Sequence, residues 1–159
     1  MRAAAEKADD TGWAGECFVN AYFSALKKAD RVRSFEWISS DNAIAPYDFH
    51  VNFDSNASSF VEVKSTAGDF NRPIHISASE LTAMRDNRSP HDIYRVFEIE
   101  ESVAKLRIAE RVNNFAHDVL TVFAKLPDGV TPDSVSVDPS ILTFGSPIEL
   151  QLPDEPEDE

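Results

Sequence analysis

Apolar residues along the chain switch between a helical and an extended period, and the switches mark its elements. Phe18, Val19, Tyr22, Phe23 and Leu26 recur at helical spacing and form a broad apolar arc. Asp10 or Thr11 is placed to cap this helix, which the pattern carries to about Ala29. Residues 1–10, Ala-rich and charged, read as a flexible lead-in. Over residues 32–38 the period falls to two around Phe35 and Trp37, which predicts a strand. Residues 39–42 read as a turn. Two further strands are expected over 44–53 and 60–66, joined by a polar hairpin connector. Ile74 to Ile76 form a short extended piece. Ser77 or Ser79 then caps a helix over 78–87, with Glu80 in its first turn, where the helix dipole favours an acid. Residues 92–99 predict a fourth strand. Residues 103–126 read as mostly helical, stopped by Pro127-Asp128-Gly129. Val135 and Val137 alternate as a short strand, and 141–152 is apolar and extended. Residues 153–159 are Pro and acids and predict a disordered acidic tail. The expected class is α/β (α+β), one domain over 11–152 with an αβββαβ core and a C-terminal helix and strand extension.

Strand side chains alternate between faces. Tyr47, Phe49, Val51 and Phe53 therefore form one apolar face, and Asp48, His50 and Asn52 the opposite one. On the next strand Glu62 and Lys64 share a face and Val63 points away. If the apolar faces join one core, Asp48, Glu62 and Lys64 cluster on the other side. A register setting Asp48 opposite Glu62 or Lys64 fits the connector, and a one-residue slip would bury the polar set. An acid on one strand and acid-x-lysine on the next can hold a divalent metal beside a phosphodiester. Glu-x-Lys alone is a common surface ion pair. Asp48 on the preceding strand, at a strand start after Pro46 and Tyr47, and the element order raise its weight.

Composition narrows the picture. The chain has 159 residues, 42% hydrophobic and 27% charged, enough for one domain with a core. No apolar run is long enough to span a membrane. The first ten residues lack the apolar stretch of a secretory signal. Single Cys17 fits a reducing, cytoplasmic setting and a packing role. Net charge is -13, and the last six residues carry five of the negatives. Such a balance opposes nonspecific nucleic-acid binding by this chain alone. A bound cation offsets part of it; a partner protein or a missing domain would supply the rest.

The element order with Pro46-Tyr47-Asp48 and Glu62-Val63-Lys64 resembles the PD-(D/E)XK phosphodiesterase superfamily, the restriction-endonuclease-like fold. A narrower set also looks like the C-terminal domain of the plant NO VEIN protein. It comprises Gly15-Glu16, Pro46-Tyr47-Asp48-Phe49, Val61 to Thr66, Ile76-Ser77 with Glu80, and Tyr94-Arg95-Val96, and it covers roughly residues 12–98. In bacteria that domain is often fused to helicase or ATPase modules of restriction and phage-defence systems. The resemblance implies a metal-dependent endonuclease acting on DNA. Asp48, Glu62 and the Val63 backbone carbonyl would hold Mg²⁺ or Mn²⁺, Lys64 would orient water or stabilise charge on the phosphate, and Glu16 would be an accessory acid.

Weaker candidates each have a plain structural reading. Glu16 lies within roughly 20° of Phe23 on a helical wheel, yet also suits a helix-surface carboxylate. Glu80 suits a capping box better than a site. Ser65 and Thr66 could contact phosphate, though strand propensity explains a Thr there. His50 could be a base, and it and His75 suit a surface role. Arg72, Arg85, Arg88 and Arg95 could grip phosphates or make ordinary salt bridges. Trp13 and Trp37 are expected in the core. The alternative function is a catalytically inactive module of the same fold that docks a protein partner through its acidic surface.

Overall fold

A computed structural model describes residues 2–42 and 44–154, with side chains from residue 10 onward. In chain order the elements are α1 (Arg2–Lys28), β1 (Val32–Trp37), β2 (Phe49–Phe53), β3 (Ser58–Ser65), β4 (Ile74–Ser77), α2 (Ala78–Asp86), β5 (His91–Phe97), β6 (Val103–Ala109), α3 (Asn113–Phe123), β7 (Ser134–Val137) and β8 (Ile148–Gln151). Six strands form one curled mixed sheet in the order β1-β2-β3-β5-β6-β8, while β4 and β7 form a separate ribbon. β3 and β5 run parallel, and every other pair in the large sheet is antiparallel. The helix α2 lies in the crossover that a parallel pair requires.

Alternation on the central strands gives the sheet two dry faces. Phe49, Val51, Val61, Val63, Tyr94, Val96 and Leu106 point to one side, where Phe18, Val19 and Phe23 of α1 cover them. The ring of Phe23 touches those of Phe35, Phe49 and Tyr94 at centroid distances of 5.4–5.5 Å. Ile93 and Ala109 point to the other side, under Leu81 and Met84 of α2, Ala116 of α3 and the β4–β7 ribbon. β5 is buried along its whole length, as a central strand covered on both faces must be.

Local signals explain the element ends. Arg31 N–H donates to Leu26 C=O and Asp30 N–H to Lys27 C=O, the paired bonds of a Schellman stop. Asp30 takes the required left-handed conformation, with φ 58°. Ser77 and Glu80 close a full capping box at the start of α2.

Several expectations fail. α1 runs back to Arg2, so residues 2–10 are helical and neither Asp10 nor Thr11 is its cap. The strand expected over 44–53 begins only at Phe49, leaving Asp48 just outside it. Residues 103–126 are not one helix. Ala104 and Leu106 bury against the sheet at strand spacing, β6 pairs with both β5 and β8, and only Asn113–Phe123 is helical. Trp13 is not core but 55% exposed. In the expected disordered tail, residues 155–159 lie outside the described residues.

Candidate functional site

Lys64 is the centre of the site. Val61 and Val63 turn into the α1-side core, so Glu62 and Lys64, one residue out of phase, face α2. The Lys64 ammonium lies 2.8 Å from Glu80 Oε1, 3.1 Å from Glu80 Oε2 and 3.4 Å from Glu62 Oε1. Glu80 is held from behind, because Ser77 N–H donates to Glu80 Oε1 at 2.8 Å. One carboxylate thus both caps α2 and holds the Lys64 ammonium. Glu62 is 5% exposed, and the Lys64 side chain 16%. Arg95 stands beside Lys64 in register on β5 and is buried, donating to the Arg72 carbonyl at 2.7 Å. Burial lowers its pKa to about 10.

Asp48 is fixed at the open end of β2. Its N–H donates to the Val61 carbonyl at 2.8 Å, and its own carbonyl accepts from Ile38 and Ser39 N–H. Its carboxylate accepts from Val63 N–H at 2.8 Å. Val61 C=O and Val63 N–H both turn toward Asp48, so the Val63 carbonyl lies on that same edge of β3. Glu16 approaches from α1, where Trp37 Nε1–H donates to its carboxylate at 3.0 Å and the Ser39 hydroxyl donates to the same oxygen. Gly15 makes this approach possible. A Cβ there would sit 1.7 Å from Ser65 Oγ, closer than atoms can lie.

The acids act on one another. Burial, and then Glu16, push the Asp48 carboxyl up to about 6 against the pull of Val63 N–H. Burial and Asp48 hold Glu62 well above the usual carboxylate range. Glu80 adds to the rise at Glu62, while Glu62 and Lys64 together overcome burial and hold Glu80 below its ordinary range. Burial would lower Lys64, but Glu62 and Glu80 outweigh it and raise it. Burial first and neighbouring acids second hold both Asp48 and Glu62 above their ordinary range, and a bound cation would oppose both effects.

The remaining candidates separate. Ser65 Oγ is buried against Gly15 with no hydrogen-bond partner among the described residues. Thr66 Oγ1 accepts from Gly68 N–H and shapes a turn. His50, beyond Asp48 on β2, lies against the Phe60 ring at 4.7 Å. His75 is exposed on the small ribbon, and Arg85 pairs with Asp86. Sequence reasoning missed His91, fully buried at the start of β5, with no partner for Nε2 among the described residues. Burial lowers it to about 4, partly opposed by Glu80. It missed Ser39 too, since a turn serine carries no signal of the acid it will meet.

For a divalent cation the donor chemistry fits: hard oxygens from Asp48, Glu62 and the Val63 carbonyl, with excess negative charge. Among the described residues no three His, Cys, Asp or Glu are gathered to hold a metal ion. Mg²⁺ needs only one or two carboxylates and keeps several waters, so three are not required.

The sequence pattern described as Protein NO VEIN, C-terminal, matches residues 15–109. The chain belongs to this family. Neither a curated protein nor a solved structure matches it. The NO VEIN C-terminal match runs from Gly15 to the last residue of β6, farther than the motifs alone indicated, and contains Glu16, Asp48, Glu62, Lys64 and Glu80. α3, β7 and β8 lie beyond it, although Ala116, Val137 and Leu150 complete both cores. Among the described residues no helix is long and apolar enough to cross a membrane.

Proposed function

We propose that this NO VEIN C-terminal domain is a metal-dependent phosphodiesterase of the PD-(D/E)XK type, cutting DNA in a cytoplasmic restriction or phage-defence assembly. The observation that carries the reading is Lys64 seated between Glu62 and Glu80 while Asp48 acts on Glu62. Mg²⁺ or Mn²⁺, held by Asp48, Glu62 and the Val63 carbonyl, would supply Lewis-acid help and a more acidic water. The chain's own residues do the positioning. Val63 N–H and the two bonds to the Asp48 carbonyl fix that acid. Trp37 and Ser39 orient Glu16 as an accessory acid. Glu80 keeps Lys64 extended across the site. Its ammonium then meets a phosphate oxygen by exchanging one carboxylate oxygen for another anion. With a net charge of -13 the chain does not grip a DNA backbone strongly, so target choice is assigned to a partner or a further domain.

The test is nicking of supercoiled plasmid in Mg²⁺ or Mn²⁺ by the wild type, Asp48→Asn and Lys64→Met. Cleavage lost in both variants supports the reading; cleavage that survives in both refutes it. A second reading, a non-catalytic module docking a protein, is favoured by Lys64 being already neutralised and by the near-complete burial of Glu62. Calorimetric titration with Mn²⁺ separates the two, because a metal that binds only the folded chain stabilises it. Heat of binding and a raised Tm support the enzyme; neither, at millimolar metal, supports the module.

A further inference from the structure

Three aromatic rings form a column beside the site. Phe49, fully buried, stacks on Trp37 at 5.5 Å and 17°, and Trp37 stacks on Trp13 at 5.0 Å and 24°. The column rises from the core and ends on an indole that is 55% exposed. One face of Trp13 is covered by Trp37, and a parallel stack leaves the opposite face turned outward. Phe18, Val19 and Phe23 already supply the buried face of α1, so core packing leaves the outer half of Trp13 unused.

The column adjoins the acids. Trp37 Nε1–H donates to Glu16 Oε1, and Glu16 lies one helical turn from Trp13 on α1. Glu16 in turn acts on Asp48. Ser39 ties the two acids together, its hydroxyl donating to Glu16 and its N–H to the Asp48 carbonyl, so a ligand ring laid on Trp13 adjoins the acid side of the candidate site. Asp10 and Glu16 each lie one helical turn from Trp13 on α1, which disfavours a phosphate there but leaves a neutral flat ring unopposed. Nucleobases stack on aromatic side chains irrespective of sequence. Bases within a duplex have both faces covered by their neighbours, so only an unpaired base can use this one.

We infer that Trp13 is a stacking platform for an unpaired nucleobase next to the cleaved linkage, which makes single-stranded or locally opened DNA the substrate class. The inference rests on the phosphodiesterase reading for the strand being a substrate. Both tryptophans of the chain are in the column, so tryptophan emission, excited apart from the three tyrosines, reports on it alone. The experiment titrates the whole chain, with Ca²⁺ in place of Mg²⁺, with a short oligothymidylate and with a hairpin duplex. Anisotropy of a dye on the DNA gives affinity, and tryptophan quenching gives location. The expected result is saturable quenching by the single strand and weaker binding of the duplex. Trp13→Leu weakens single-strand binding about 5- to 150-fold, the range of one base stack; Trp13→Tyr, which keeps a ring, restores most of it. Equal affinity of the wild type and Trp13→Leu overturns the inference, as does tighter binding of the duplex. So does emission unmoved by DNA, the result expected if the ring docks a protein. The two readings fail separately. Cleavage that needs Lys64 while Trp13→Leu binds normally sinks only the platform; Trp13-dependent binding without Lys64-dependent cleavage sinks only the enzyme.

Discussion

Gly15→Ala tests how α1 is brought against the sheet. On an isolated helix the change would stabilise by about 1 kcal/mol, since alanine is the better helix former. Here the new Cβ would lie 1.7 Å from Ser65 Oγ and 2.7 Å from Ser65 Cβ. Turning the hydroxyl away relieves the first contact but not the second, because Ser65 Cβ is fixed by the β3 backbone. Helix and strand must part by several tenths of an ångström, loosening Phe18, Val19 and Phe23 in the core. Overpacking of this kind costs about 1–3 kcal/mol, so the expected net loss is about 1–2 kcal/mol after the propensity gain. The assay is urea unfolding followed by tryptophan emission and far-UV circular dichroism. Ser65→Gly removes both clashing atoms, so the double variant should recover stability, with a coupling energy of about 1–2 kcal/mol. A Gly15→Ala protein as stable as the wild type, or a cycle additive to within about 0.5 kcal/mol, refutes the close approach and with it the placement of Glu16.

Two further outcomes follow from the site. The folded His91 titrates near 4 and an unfolded histidine near 6.5, so between those values only the unfolded chain takes up the proton. His91 therefore lets stability rise with pH across that window, by on the order of 3 kcal/mol, while Asp48, raised to about 6, pulls the opposite way. The stability gap between wild type and His91→Asn isolates the histidine. It should narrow as the pH falls from 7 toward 4.5, and a constant gap in thermal unfolding would contradict the buried neutral ring. Glu80→Gln preserves an acceptor for Ser77 N–H and removes only the charge beside Lys64, whereas Glu80→Ala removes both. Alanine should therefore be the less stable by about 1 kcal/mol, and equal Tm values would deny Glu80 its capping role.

Some of this architecture is written locally. The arc from Phe18 to Leu26 can only be a helix with one covered face, Ser77 and Glu80 declare a helix start, and alternation around Glu62-Val63-Lys64 sends the charges to one side. Such features depend on neighbours within a turn or a pleat, so the sequence alone determines them. Residues 103–109 are different. Val103 and Leu106 fit a helical spacing and Ala104, Leu106 and Ile108 fit a strand, and only pairing with β5 on one side and β8 on the other decides. Asp48 was expected within a strand but lies just before β2, and its grip on Val63 N–H needs β3 to run past the end of β2. The same holds for Glu16, reached by Trp37 and Ser39 from 21 and 23 residues away. The rise at Glu62 beside Asp48, and how deeply His91 is buried, are likewise decisions of the folded chain. Charge interactions and desolvation depend on distances through space, and those exist only once the sheet has closed over them.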